Sequence, residues 1–293
     1  QDSWRVGLRC TVLRPMPDHW KISSWRLQEV KVLGEFAALI HNENIKIYSR
    51  VRTWIMLILL AVMSALFPVL FYYTSGNESS IGLWESFQIT VTIAFFLNTI
   101  FTVVVASDSV AGEFSWGTIK LLLIRPWSRS KILLSKYISL VIFSLLSTLV
   151  LVAFGFASSS IFSSSAGEGM NAVTNWSPAK YTFMGILCQY IALFLTAALA
   201  FMVSSVFRAS GLAIGLSLFI MFATDILVQI FSPDRYEWAK YLIFTHMDLQ
   251  VYLGSDSGPG GVSLWFSIGV LAAYYVLFLC VAWLVFRKRD VST

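Results

Sequence analysis

The sequence predicts an all-α integral membrane protein with six transmembrane helices. Three observations carry this. The 293 residues are 57% hydrophobic and only 13% charged, whereas an average soluble domain carries roughly 25% charged residues. The apolar residues gather into six runs, each long enough for the roughly 20 helical residues that cross a bilayer. Inside those runs a single ionised-type side chain occurs, Asp225. Helices are the expected form, because backbone N–H and C=O groups in lipid must be satisfied within their own segment. Strands of a membrane barrel would be about half as long and would alternate polar with apolar residues.

The runs span residues 54–73, 87–106, 137–157, 181–207, 211–231 and 263–286. Trp54, Tyr72, Tyr73, Trp84, Trp176, Tyr181 and Trp265 cluster near their ends, where amphipathic rings favour the membrane–water boundary. An even number of crossings puts both chain ends on one side. All of the 21 basic residues except Lys180, Arg235 and Lys240 then share that side, and a Lys/Arg excess marks the cytoplasm. The net charge of +5 follows from this bias and does not point to nucleic acid.

Residues 1–30 are polar and basic and read as a cytoplasmic tail. They do not form a cleavable leader, since the first apolar run exceeds a leader's apolar core. Residues 31–53 predict an amphipathic helix lying in the membrane interface. Leu33, Phe36, Ala37, Ile40, Asn44, Ile47, Tyr48 and Val51 recur at helical spacing, while Glu35, Asn42, Glu43, Lys46, Ser49 and Arg50 fill the other face. Lys46, Arg50 and Arg52 are expected to meet headgroup phosphates. The membrane domain covers residues 54–286, and residues 287–293 return to the cytoplasm. Outside, residues 232–262 are too rich in Tyr, Trp and Phe for a bare loop and predict short helices dipping back toward the membrane. Ser232 and Pro233 would cap and open the first of them.

The segment between the second and third runs is the most specific. It contains Glu113, Gly117-Thr118, Ile119, Leu121-Leu122, Arg125-Pro126, Ser128-Arg129 and Lys136. Gly117 and Thr118 would open a short helix with a leucine face. Pro126 cannot continue it, and Ser128 would cap the helix that follows. A short amphipathic helix held between two membrane helices suits docking into a partner's groove.

In order and spacing this segment resembles the signature of permeases of bacterial type-2 ATP-binding-cassette (ABC) exporters. Residues 42–47 and 52–54 are similar to the entry of the first span in such permeases, and the likeness runs from about residue 33 to 289. The 1–30 tail departs from it. The resemblance implies a permease paired with a second copy and seated on two separate ABC ATPase subunits. It makes the helix at about 117–124 the coupling helix, with Glu113, Gly117, Thr118, Ile119, Leu121, Leu122, Arg125 and Pro126 transmitting motion. It also implies re-entrant helices between spans five and six, and export of an antibiotic, peptide or other amphipathic small molecule. No G-x-x-x-x-G-K-[ST] loop is present, so the chain is read as a transport subunit, not an enzyme, with no cofactor of its own and with ATP and magnesium on the partner.

Other features are weaker. Asp225 and Asn98 lie in spans and are candidates for lining a transport path. Asp225 serves equally as a paired structural carboxylate, and Asn98 as an interhelical hydrogen-bond donor. His19, His41 and His246 are isolated, so no metal site is expected. Cys188 and Cys280 sit in apolar runs and read as buried and inert. Two other classes fit less well. An ion-coupled secondary transporter normally carries more intramembrane ionisable residues and internal repeats. A membrane-embedded enzyme would cluster His, Asp, Glu or Ser near one face.

Overall fold

A computed structural model describes residues 36–74, 82–118, 127–163, 176–233, 235–255 and 257–288. Eight α-helices occur in it: α1 (36–48), α2 (Val51–Thr74), α3 (Leu83–Ser115), α4 (Arg129–Phe162), α5 (Pro178–Val206), α6 (Ser210–Ile230), α7 (Val251–Gly254) and α8 (Leu264–Lys288). Six of them, α2 to α6 and α8, are long and apolar enough to cross a membrane, one for each predicted run. The protein is a multi-pass membrane protein. The predicted 1–30 tail, residues 289–293 and the segment 119–126 lie outside the described residues.

Helices α3 and α5 form the centre of the bundle. Half of the most apolar stretch of each is buried, against 12% in α6 and 17% in α8. α2 and α4 pack together on one flank of α3, and α6 and α8 lie against α5 on the other. The exposed sides of the outer helices carry Ile55, Ile58, Val62, Phe219, Ile226 and Leu277, surface that only lipid or another apolar partner can cover. Cys280 is on such a face and is exposed, while Cys188 is half-buried. The expectation that both are buried therefore fails at Cys280, because hydropathy alone does not distinguish a lipid-facing residue from a core one.

Small and hydroxylated residues bring the central helices close. Gly155 of α4 lies where a β-carbon would sit 3.5 Å from Thr90 and 3.6 Å from Phe87 of α3. Asn98 is fully buried and donates through Nδ2 to Thr148 Oγ1 at 3.0 Å, joining α3 to α4. Ser204 of α5 inserts its hydroxyl against α3. It donates to Ser107 O at 2.6 Å and accepts from the backbone N–H groups of Val110 (3.1 Å) and Ala111 (2.9 Å). Where Pro68 removes a donor from α2, Ser158 of α4 donates to Ala65 O at 2.6 Å, so the neighbouring helix serves the disturbed turn.

The two faces differ in build. On the side opposite α1, residues 231–263 hold short helices, as predicted: 3-10 turns at Glu237–Tyr241, Ile243–His246 and Pro259–Gly261, and α7. Ser232 does not open one. Its carbonyl accepts turn bonds from Arg235 and Tyr236, and the first short helix starts at Glu237. His246 pins this segment to α8. Its Nε2 faces Lys240 O at 2.7 Å and its Nδ1 faces Ser267 Oγ at 2.7 Å. A carbonyl only accepts, so Nε2 is the donor to Lys240 O.

Loss of the Ser204 interlock tests this packing. Ser204→Ala is expected to destabilise the chain by about 1–2 kcal/mol, leaving two buried N–H groups to α3 alone. Thermal unfolding in detergent, followed by tryptophan fluorescence, reads the change.

Candidate functional site

The polar chemistry of the described residues concentrates where α1 meets the ends of the bundle. α3 has 33 residues, about 50 Å of helix at 1.5 Å per residue, which is well beyond the roughly 30 Å of hydrocarbon. Its surplus projects on the α1 side and carries Asp108 and Glu113. The second apolar run ends at residue 106, yet the helix continues to Ser115, because these two acids find partners that keep the extension ordered.

Glu113 belongs to a closed ring of four charges from three helices. Lys46 Nζ of α1 lies 2.7 Å from Glu43 Oε1 and 2.8 Å from Glu113 Oε1. Lys136 Nζ of α4 lies 2.8 Å from Glu43 Oε2 and 3.0 Å from Glu113 Oε1. The remaining Glu113 oxygen accepts from the Thr118 hydroxyl. The Lys136 side chain is only 2% exposed and those of Glu43 and Glu113 are 11% and 12%, whereas Lys46 is 42% exposed. Two ammonium groups and two carboxylates balance, which is what allows ions to leave water at all. Burial works against the charge on Lys46, but its hydrogen bonds and charge contacts with Glu113 and Glu43 outweigh that and hold its pKa above the ordinary lysine value.

A second cluster surrounds Asp108. Arg50 and Arg52, on either side of the first residue of α2, both donate to Asp108 Oδ2, and Ser210 at the start of α6 donates to Oδ1. Gly112 makes room for this carboxylate: a β-carbon there would lie 2.9 Å from Asp108 Oδ1. Ser115 completes the arrangement. It donates to Ala111 O and Arg208 O and accepts from the Ser210 N–H at 2.8 Å. The end of α3 is thereby bonded to α1, the start of α2, α4 and the α5–α6 turn.

α1 therefore packs on protein with part of the face assigned to water. Glu43 is buried, and Ser139 of α4 donates to Ile40 O at 3.2 Å. Ile45 and Val51 are exposed, although Val51 was expected on the apolar stripe. The pattern failed here because Glu43 is satisfied by Lys136, 93 residues away, which local periodicity does not register. Thr53 and Trp54 close the α1–α2 turn, donating to Ile47 O (2.6 Å) and Tyr48 O (2.8 Å).

Gly117 ends α3, and the short helix expected to open at Gly117-Thr118 would run through residues 119–124, outside the described residues. The Gly117 φ is +70° and its N–H bonds to Phe114 O at 3.2 Å, one residue after the C-cap Trp116. That is the left-handed residue with which many helices end. Ser128 caps α4 as the sequence indicated, its hydroxyl accepting from Lys131 N–H at 3.4 Å. Of the sequence-derived coupling residues, Glu113, Gly117 and Thr118 are gathered here. Ile119, Leu121, Leu122, Arg125 and Pro126 lie outside the described residues. Asn98 is deep between α3 and α4. Asp225 occupies α6, and its side chain is outside the described set. Sequence reading omitted Glu43, Lys46, Asp108 and Lys136 from the site. The signal available was that Asp108 and Glu113 are acids on a helix that begins as an apolar span.

No group of three or more His, Cys, Asp or Glu side chains that could hold a metal converges among the described residues. The ring's carboxylates are taken by ammonium groups. Comparison with other proteins fits a membrane role. A family model described as "Protein of unknown function (DUF2705)" matches residues 52–292. The chain belongs to this family. Two Bacillus subtilis (strain 168) proteins resemble this DUF2705 chain. "Uncharacterized protein YhcI" is 31% identical over 310 residues, covering 87% of this chain and 99% of its own length. "Uncharacterized membrane protein YdbK" is 30% identical over 261 residues, covering 84% and 99%. A third relative, "Probable ABC transporter permease protein NosY" of Stutzerimonas stutzeri, is 27% identical over 237 residues, covering 73% of this chain and 84% of its own length.

The ring makes two predictions. Lys136→Met leaves Glu43 and Glu113 to share Lys46 alone, with one buried negative charge uncompensated, and is expected to cost about 3–5 kcal/mol, whereas Lys46→Met, at a half-exposed site, costs about 0–1 kcal/mol. Unfolding midpoints of the two variants order them. The raised Lys46 pKa sets the pH response. Its contribution is complete below the unfolded value of about 10.4 and is lost only as the pH climbs through the folded value. The midpoint difference between wild type and Lys46→Gln is therefore expected to stay level from about pH 6 to about pH 9.

Proposed function

We propose that this chain is the membrane-spanning permease subunit of an ABC exporter, with the α1 side facing the cytoplasm. Two copies would form the substrate path, and two separate ATPase subunits would supply ATP and magnesium. The observation that carries the reading is the bonding of the end of α3 to α1, α2, α4 and α6 through Glu113 and Asp108. A segment seated on an ATPase immediately after Thr118 would pull on that cluster. The helices joined there would then move together.

Three further facts support it. The chain is similar to a protein whose name assigns it to ABC permeases. The motif resemblance covers the segment that directly follows the cluster. Basic residues are concentrated on the α1 side. The aromatic short helices at residues 237–254 would act as the family's external re-entrant elements. An antibiotic, peptide or similar amphipathic molecule is the proposed cargo. The short connections on the opposite side fit a compact solute better than a folded protein.

Co-expression with a cognate ATPase tests this. The complex is expected to purify with two ATPase chains. Glu113→Gln and Gly117→Val should retain membrane insertion yet lower substrate-stimulated ATP hydrolysis about tenfold. Failure to capture any ATPase, or full stimulation in both variants, would count against the reading.

A further inference from the structure

Between α1, α3 and α4 the α1 side opens into a cleft of about 910 Å³. Glu43, Lys46, Arg50, Arg52 and Glu113 of the linkage described above form part of its wall. Its lining combines three cations, Lys46, Arg50 and Arg52, and two carboxylates, Glu43 and Glu113, with the apolar side chains of Ile45, Val51 and Trp116. The volume is within the range of sites that enclose small amphipathic molecules, roughly 300–1,000 Å³.

Charge balance indicates what such a molecule must carry. The Glu43–Lys46–Glu113–Lys136 ring is neutral. Arg50 and Arg52 share one carboxylate, Asp108, so among the described residues that group keeps one unmatched positive charge. Each guanidinium has five N–H donors, and both side chains are about 40% exposed, with values of 42% and 40%. Paired guanidinium groups with spare donors are matched by a phosphate oxygen pair. A quaternary or primary ammonium would meet repulsion instead.

Depth indicates where that phosphate comes from. Arg50 and Arg52 bracket Val51, the first residue of α2. Trp54 follows within one turn and marks the boundary of the hydrocarbon. The arginines therefore sit at the level of lipid phosphates, where an anionic surface attracts basic residues. Ile45 and Val51, 51% and 74% exposed, offer apolar surface at the same depth.

We propose that this cleft holds the headgroup of an anionic membrane phospholipid. Its phosphate is placed on Arg50 and Arg52, and its glycerol and first methylenes lie over Ile45 and Val51 beside Trp116. The bound phosphate supplies the second anion that the arginine pair lacks. Lipid composition then sets how firmly the α1–α2 junction is held to α3. The site requires no ATPase, so its test leaves the transporter reading untouched.

The experiment uses the purified full chain in neutral detergent. The probes are short-chain phosphatidylglycerol, short-chain phosphatidylcholine and inorganic phosphate. Binding is read by calorimetry, and stabilisation by the unfolding midpoint. Phosphatidylglycerol is expected to bind about tenfold tighter than phosphatidylcholine, with inorganic phosphate failing to compete. Arg50→Gln/Arg52→Gln should lose this preference. Because that variant also unbinds Asp108, Val51→Glu provides the second arm. It adds an anion to the cleft lining beside the arginine pair, and should weaken phosphatidylglycerol binding about tenfold while the lipid-free midpoint holds or rises. Equal binding of the two lipids overturns the proposal. So does competition by inorganic phosphate, which would make the site one for free anions, or unaltered binding in Val51→Glu.

Discussion

An ion leaves water only where another ion replaces the lost hydration, and this constraint organises one whole face of the molecule. Glu113 is nearly buried because Lys46 and Lys136 flank it. Lys136 is more buried still because Glu43 and Glu113 enclose it. Neither lysine could hold its place if α1 were absent, since α1 provides Glu43 and Lys46. The position of α1 against α4 is fixed less by its apolar stripe than by the charges it brings. Such an arrangement adds little net stability over a well-packed apolar one. It tolerates only one registration of three helices, however, since any slippage leaves a buried charge alone.

The remainder of the bundle is held in a different way. Apart from the ion pairs, the central helices meet through hydroxyls, an asparagine and a glycine: Ser204 on α3, Asn98 on Thr148, Gly155 against Phe87 and Thr90. Within lipid there is little hydrophobic drive between helices, so small residues and interhelical hydrogen bonds do this work. The outer helices, by contrast, show large aliphatic faces to their surroundings. One end of the bundle is thus ionic and many-partnered, and its middle is closely packed and neutral.

Much of this was legible in the chain. Six crossings follow from run length alone, since no local feature competes with some 20 apolar residues. The Ser128 cap followed from residue type and position. The ends of α3 and α4 were not legible, because the helices run past the apolar windows for as long as polar partners exist, and those partners are remote in sequence. Glu43 was misplaced for the same reason: helical periodicity sorts residues into faces but does not say which face meets a lysine 93 positions later. Gly117 carried its own signal, since glycine favours helix ends over helix starts. Ser232 and Pro233 form a favourable cap pair, but the chain bends there first.

The unbroken helical path of α3 has one further consequence. Asp108 and Glu113 are five positions apart, which at 3.6 residues per turn puts them roughly 140° apart around the axis. One looks toward the arginines and the α6 start, the other toward the lysines. A residue inserted between them would rotate Glu113 by about 100°, off both ammonium groups, while Asp108 stayed in place. The interval from Asp108 to Glu113 therefore works as a ruler of fixed length.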